Sequence, residues 1–188
     1  MNWLLVIAKV VGASFAGASS LVQLQSEIES NKLSKRVSKL EDPISNIHED
    51  VPELSKELYR ALKKEDSTSL SFEESFYTKY SRALASLEAQ GYLKGKHAIG
   101  KRYAAGIRIK NPLFIMYLCA LEEEMSKMET LVDTVNNCKV GEHLRGRKLK
   151  ETLNLPLPVI EAVFEIFEFK GYGICSKTIG SSSYIGKA

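Results

Sequence analysis

Two short segments eighty positions apart constrain this chain more than any other feature. "LEAQGYL" (residues 87–93) and "FEFKGYG" (residues 167–173) carry glutamate, glycine and tyrosine in the same places. Each closes an amphipathic stretch and opens a glycine-containing run with strand character. Glycine at the end of a helical period is a common stop, because it enters the left-handed backbone region without steric cost. The pattern predicts a duplication within 188 residues: a helix stopped by glycine, then two short extended segments, twice over.

The elements around the first copy emerge from the same reasoning. Pro52 at a first-turn position, Glu53 behind it, and Leu54, Leu58, Ala61 and Leu62 on one face predict a helix over "PELSKELYRALKKE". "DSTS" breaks it. Ser71 to Glu74 has the spacing of a capping box that starts a short helix through about Phe76, and Thr78 can cap a third helix, "KYSRALASLEAQ". Leu84 and Leu87 of that helix are expected to face inward. "YLKGKHAIG" and "KRYAAGIRI" can then pair as a hairpin. Upstream of the second copy, Arg147 to Leu153 reads as helix, "NLPLP" as a turn and Pro158 as a helix-opening proline, with "GICSKTIGSSSYIGKA" supplying the second hairpin. Between the copies, "NPLFIMYLCALEEEMSKMETLVDTV" reads as one long helix whose apolar beginning packs between the two halves.

Helix, short helix, third helix, hairpin is the order of a winged helix-turn-helix. "SRALASLEAQGYL" resembles the recognition helix and following strand of bacterial winged-helix transcription regulators, a likeness that covers roughly residues 50 to 110. The resemblance implies a mainly α fold with small β-hairpins, in which a long N-terminal helix precedes tandem winged-helix modules. The expected divisions are 1–48 for the N-terminal helix, 49–111 for the first module, and 112–188 for the linking helix and second module. The same scaffold also serves as a protein-binding module, so fold alone does not decide function.

Charge is segregated along the chain. Residues 41 to 74 hold ten acids and four bases, a local charge of −6, and residues 79 to 110 hold eight bases and one acid, a local charge of +7. In a helix-turn-helix the start of the second helix faces base edges while surrounding cations neutralise phosphates. The candidate DNA-binding residues are therefore Lys79, Ser81 and Arg82 on the third helix, with Lys94, Lys96, His97, Lys101, Arg102, Tyr103 and Arg108 on the hairpin. Three rivals take the same cations: anionic lipid, an acidic protein, and the chain's own acidic stretch. Under the offset of eighty, Lys79, Ser81, Arg82 and Ala85 become Val159, Glu161, Ala162 and Glu165. Carboxylates there would repel phosphate, so the second module is expected to bind protein, a second copy of the chain first among candidates. Arg145, Arg147, Lys148 and Lys150 read as a solvated helix face.

Catalysis has little support. His48, His97 and His143 stand apart from any nucleophile pattern, no phosphate-binding loop of the G-x-x-x-x-G-K type occurs, and the run at 122–124 reads as a solvated face. Cys119, Cys138 and Cys175 are odd in number and widely spaced, which fits a reducing compartment. Cys119, inside "PLFIMYLCAL", is expected to be a buried thiol. No enzyme activity, cofactor or metal is expected.

Residues 3 to 22 are weakly polar or apolar over about a bilayer's span. Lys9 interrupts them, at roughly 2.5 to 3.5 kcal/mol for a central lysine against 0.3 to 0.6 returned by each large apolar residue. A secretory signal is disfavoured by that lysine and by the lack of a basic beginning. A membrane anchor gains from Lys32, Lys35, Arg36 and Lys39, which would hold the rest of the chain in the cytoplasm. A helix buried against its own domain or in a homodimer stands beside it, and Leu33, Val37, Leu40, Ile44 and Ile47 continue the seam. The expected location is cytoplasmic, with tethering to the membrane's inner face if residues 3–22 span it.

Overall fold

The computed structural model describes residues 44–97, 104–122, 124–178 and 181–186. The N-terminal helix, the anchor at residues 3–22, and Lys101, Arg102 and Tyr103 lie outside these. The described residues are mainly α-helical with two small antiparallel sheets. A single 3-10 turn, Ser45–Ile47, leads in, with Ile44 buried and Ile47 half-buried against the core.

Helix α1 (Val51–Glu65) has the proline in its first turn, Glu53 near its positive end and Lys63 and Lys64 near its negative end, the arrangement the helix dipole favours. Val51, Leu54, Leu58, Tyr59 and Leu62 are buried. Strand β1 (Ser69–Leu70), helices α2 (Glu74–Lys79) and α3 (Ser81–Ala89), and the hairpin β2 (Leu93–His97) and β3 (Ala104–Ile109) complete the first half. Helix α4 (Pro112–Leu121) comes next. The second half repeats the order: α5 (Met125–Asn136), β4 (His143–Arg145), α6 (Gly146–Leu153), α7 (Leu157–Phe169), β5 (Gly173–Thr178) and β6 (Ser181–Gly186). Strand order is β1-β3-β2 in one sheet and β4-β6-β5 in the other, so the last strand is central both times.

The shared glutamate, glycine and tyrosine build the same joint in each half. Gly91 and Gly171 sit at φ +77° and +73°, just past the last helical residue. The Tyr92 N–H reaches the Leu87 carbonyl and the Gly91 N–H the Glu88 carbonyl, at 3.0 and 2.9 Å; the Tyr172 and Gly171 bonds to Phe167 and Glu168 repeat this at 3.0 and 2.8 Å. These are the paired bonds of a Schellman motif. The glutamate then turns to the strand: Glu88 accepts from the Gly95 N–H and Glu168 from the Cys175 N–H, each at 3.0 Å.

Three expectations about helix ends are corrected. Ser71 does not cap: α2 starts at Glu74 with Glu73 as its N-cap and no side-chain cap bond. Thr78 lies inside α2, where its hydroxyl donates to the Glu74 carbonyl at 3.0 Å, and Lys79 ends α2 instead of opening α3. Tyr80, buried against Phe76 at 5.0 Å between ring centroids, is the hinge residue shared by both helices. The third correction concerns the linker, which is two helices, the first ending at Leu121 and the second starting at Met125. Phe114 to Cys119 are all buried because α4 packs against α1 on one side and α7 on the other. Met128, Leu131, Val132 and Val135 of α5 face the core as well, and a corner brings both helices into it. Cys119 is buried as expected, and burial chiefly pushes its thiol up to about 12.

Glu124 holds that corner, so this member of the acidic run is not simply part of a solvated face. Its carboxylate accepts from Tyr59 Oη at 2.5 Å, from Lys63 Nζ at 2.6 Å and from Lys127 Nζ at 3.3 Å. Partial burial pushes this carboxyl up, but the bonds to Lys63, Tyr59 and Lys127 together hold it below its ordinary value. A carboxyl lowered in the folded state stabilises above its unfolded pKa of about 4.5, and that contribution disappears as pH falls through the folded value. We expect Glu124→Gln to cost about 1 kcal/mol near neutrality. Urea melts of both proteins should converge well below pH 4.5; an undiminished difference there would contradict the role given to the charge.

A candidate nucleic-acid interface on the first half

Helix α3 is anchored by buried Ala83 and Leu87, with Leu84 half-buried beside them. Its outer side exposes Ser81, Arg82, Ala85 and Ala89. Ser81, Ala85 and Ala89 recur every four residues and so share one face. Small side chains there let the helix axis come close to a surface, with Arg82 reaching past them.

The hairpin lies beside this helix because Glu88 ties them together through Gly95. The lone acid of the basic stretch is thereby engaged with a backbone N–H. Lys94 and Lys96 are exposed, and Lys94 stands directly opposite Arg108 across the β2–β3 ladder. Like charges in that position cost some tenths of a kcal/mol up to about 1. Among the described residues, Lys94, Lys96 and Arg108 form no ion pair. The backbone of His97 ends β2.

Lys79 is placed differently. Its ammonium donates to Glu53 at 2.8 Å and lies 4.6 Å from the centroid of the Tyr80 ring. The Glu53 hydrogen bond raises the Lys79 pKa, and Lys79 in turn holds the Glu53 carboxyl below its usual range. Both groups are exposed, so this is a surface pair that an incoming phosphate can exchange for itself.

Among the described residues, three carboxylates of the acidic stretch have partners outside the hairpin: Glu57 pairs with Arg60 at 3.4 Å, Asp66 with Lys150 at 2.5 Å, and Glu53 with Lys79. Besides Glu88, acids of α7 share a cleft with the hairpin. Arg108 and Lys110 line a cleft of about 530 Å³ together with Glu161, Glu165 and Lys177. No signal in the local sequence marks this juxtaposition, which depends on how the halves pack around α4.

Helix α7 has another occupation. Val159 and Ala162, the counterparts of Lys79 and Arg82, are buried. Glu161 accepts from the Ser182 hydroxyl, Glu165 pairs with Lys177, and Glu168 bonds the Cys175 N–H. Three carboxylates thus fasten this helix to its own hairpin, where the first half uses one. Apolar groups stand outward nearby: Phe169 is 93% exposed and Ile174 62%. Ile174 faces Ile185 across the ladder at the place that Lys94, facing Arg108, holds in the first half.

Among the described residues no group of three or more His, Cys, Asp or Glu is placed to hold a metal ion, and no helix is long and apolar enough to cross a membrane. Comparisons of the chain with protein-family models, with curated proteins and with solved structures find no match in any of the three.

Proposed function

We propose that the chain is a non-enzymatic DNA-binding protein made of two winged helix-turn-helix modules, the first of which applies α3 and its hairpin to duplex DNA. The observation that carries this reading is the pair of exposed lysines, Lys94 and Lys96, on the strand next to α3, without a carboxylate partner among the described residues. The outward Ser81, Arg82, Ala85 and Ala89 support it, since a smooth helix face with one long cation suits a groove. So does the order of elements, helix, strand, two helices and hairpin with the last strand central.

Fluorescence anisotropy of the full chain with a random-sequence duplex tests the reading. If six of the cations between Lys79 and Lys110 meet phosphates, log affinity falls with log salt at a slope of roughly −5. Lys94→Glu with Lys96→Glu should weaken binding at least about tenfold and make the slope shallower by about 2. Binding that ignores both salt and this double variant, or absence of binding at low salt, would overturn it.

The exposed Phe169 and Ile174 favour a second reading, an adaptor whose second module binds protein, with a second copy as the first partner to test. Sedimentation of wild type and of Phe169→Glu with Ile174→Glu separates the two. An adaptor self-associates with rising concentration, loses this in the variant, and shows no salt-steep duplex binding.

A further inference from the structure

The two halves also differ at the corner where the leading strand meets the next helix. In the first half this junction reads Ser71, Phe72, Glu73, Glu74; in the second it reads Arg145, Gly146, Arg147, Lys148. Gly146 is buried, and a Cβ there would lie 3.0 Å from the Ser182 carbonyl and 3.2 Å from Leu157 Cδ1. Helix α6 therefore starts directly against β6, and Arg145 is held in register opposite Ser183. The junction forms a wall of a cleft of about 830 Å³, lined among others by His143, Arg145, Arg147, Lys148, Glu151 and Ser183.

The charge inside this cleft is unbalanced. Among the described residues the cleft is lined by Arg145, Arg147 and Lys148 and by one carboxylate, Glu151. Among the described residues Arg145 and Lys148 form no ion pair, and both are exposed. The cations also occupy the N-cap and first turn of α6, where no acid is present and no side chain caps the helix. That end of a helix already carries partial positive charge, so the local sequence works against its own helix. A concave surface that concentrates like charge at a folding cost is where an anion is to be expected.

We propose that this cleft binds a phosphate group. The Arg145 guanidinium supplies a planar donor fork, Lys148 adds an ammonium, and Ser183 a hydroxyl. The same chemistry is offered by a free phosphate compound and by a nucleic-acid backbone running through the cleft. This site is separate from α3 and does not rest on the proposed DNA face of the first half.

Calorimetry of the full chain with inorganic pyrophosphate is the test. Saturable binding is expected, weakened tenfold or more by Arg145→Glu with Lys148→Glu, retained within about threefold by Arg145→Lys with Lys148→Arg, and unchanged by Lys94→Glu with Lys96→Glu. A random-sequence duplex in the same three variants identifies the source. Loss of duplex affinity in the Arg145/Lys148 reversal, with pyrophosphate competing in the wild type, assigns the cleft to the backbone; loss of pyrophosphate binding alone assigns it to a free phosphate. The proposal is overturned if the reversal alters binding of neither probe, or if the Lys94/Lys96 reversal lowers pyrophosphate affinity equally. Failure of duplex binding with pyrophosphate binding intact would remove the DNA reading and leave this one standing.

Discussion

Gly173→Ala lowers stability by about 3 kcal/mol. A Cβ at that position would lie 2.3 Å from Tyr184 Cζ and 2.4 Å from the Ile185 carbonyl oxygen. The carbonyl belongs to the central strand of the sheet, and Tyr184 is 1% exposed with its ring 5.5 Å from that of Phe164, so neither can retreat cheaply. The first half solves the same space the other way: Leu93 occupies the position of Gly173, and Ile107 stands across the strand where Tyr184 does. One half uses a large residue on the outer strand, the other on the central strand. For a protein of this size the loss corresponds to a melting temperature lower by about 6 to 12 °C. Gly91→Ala is the control. It strains a positive φ, but its Cβ would meet no atom within 4 Å, and it should cost about 1 kcal/mol. Equal melting of Gly173→Ala and wild type would mean that Tyr184 is not wedged there.

The second large effect is expected at Asp66. This residue ends α1 in the left-handed region, φ 50°, and reaches into the other half. One carboxylate oxygen accepts from the Leu157 N–H at 2.7 Å, capping α7, whose own N-cap Pro156 has no side-chain acceptor. The other accepts from Lys150 Nζ at 2.5 Å. Asp66→Ala removes the cap and the ion pair and leaves alanine at positive φ, for a loss of about 2 to 3 kcal/mol. Asp66→Asn keeps an acceptor and tolerates that backbone, so it should lose about 1 kcal/mol. Denaturant melts of the two variants check the ordering. Equal losses would mean that the charge, not the cap, carries the contact between the halves.

The joints at Gly91 and Gly171 were legible because every part of them is local. A helix end needs a residue at positive φ, the next strand needs an acceptor for its first free N–H, and glutamate three residues before glycine supplies it in both halves. Helix α1, the hairpins and Pro158 were legible for the same reason. The features that were not legible depend on contacts between distant segments. Between Leu121 and Met125, where local propensity would continue one helix, Glu124 is instead held by Tyr59 and Lys63 of α1. Ser71 and Thr78 have capping chemistry, yet the aromatic packing of Phe72, Phe76 and Tyr80 sets where α2 and α3 begin. In the basic stretch, charge counting found the cations but not their neighbours. Lys79 is bound to Glu53 from α1, and Arg108 and Lys110 share a cleft with Glu161 and Glu165 from α7. The cations at 145–148 read as a solvated helix face because a sequence does not show that β6 closes a cleft over them.

On the proposed function, two halves of one topology have diverged so that the first presents its third helix and hairpin to DNA while the second keeps its third helix occupied within the fold. Titrating a random-sequence duplex into the isotopically labelled chain and following backbone amide signals tests it most directly. Shifts are expected to concentrate at Ser81, Arg82, Lys94 and Lys96 and to spare Val159, Ala162 and Glu165 of α7. Shifts centred on α7, or none at low salt, would contradict it.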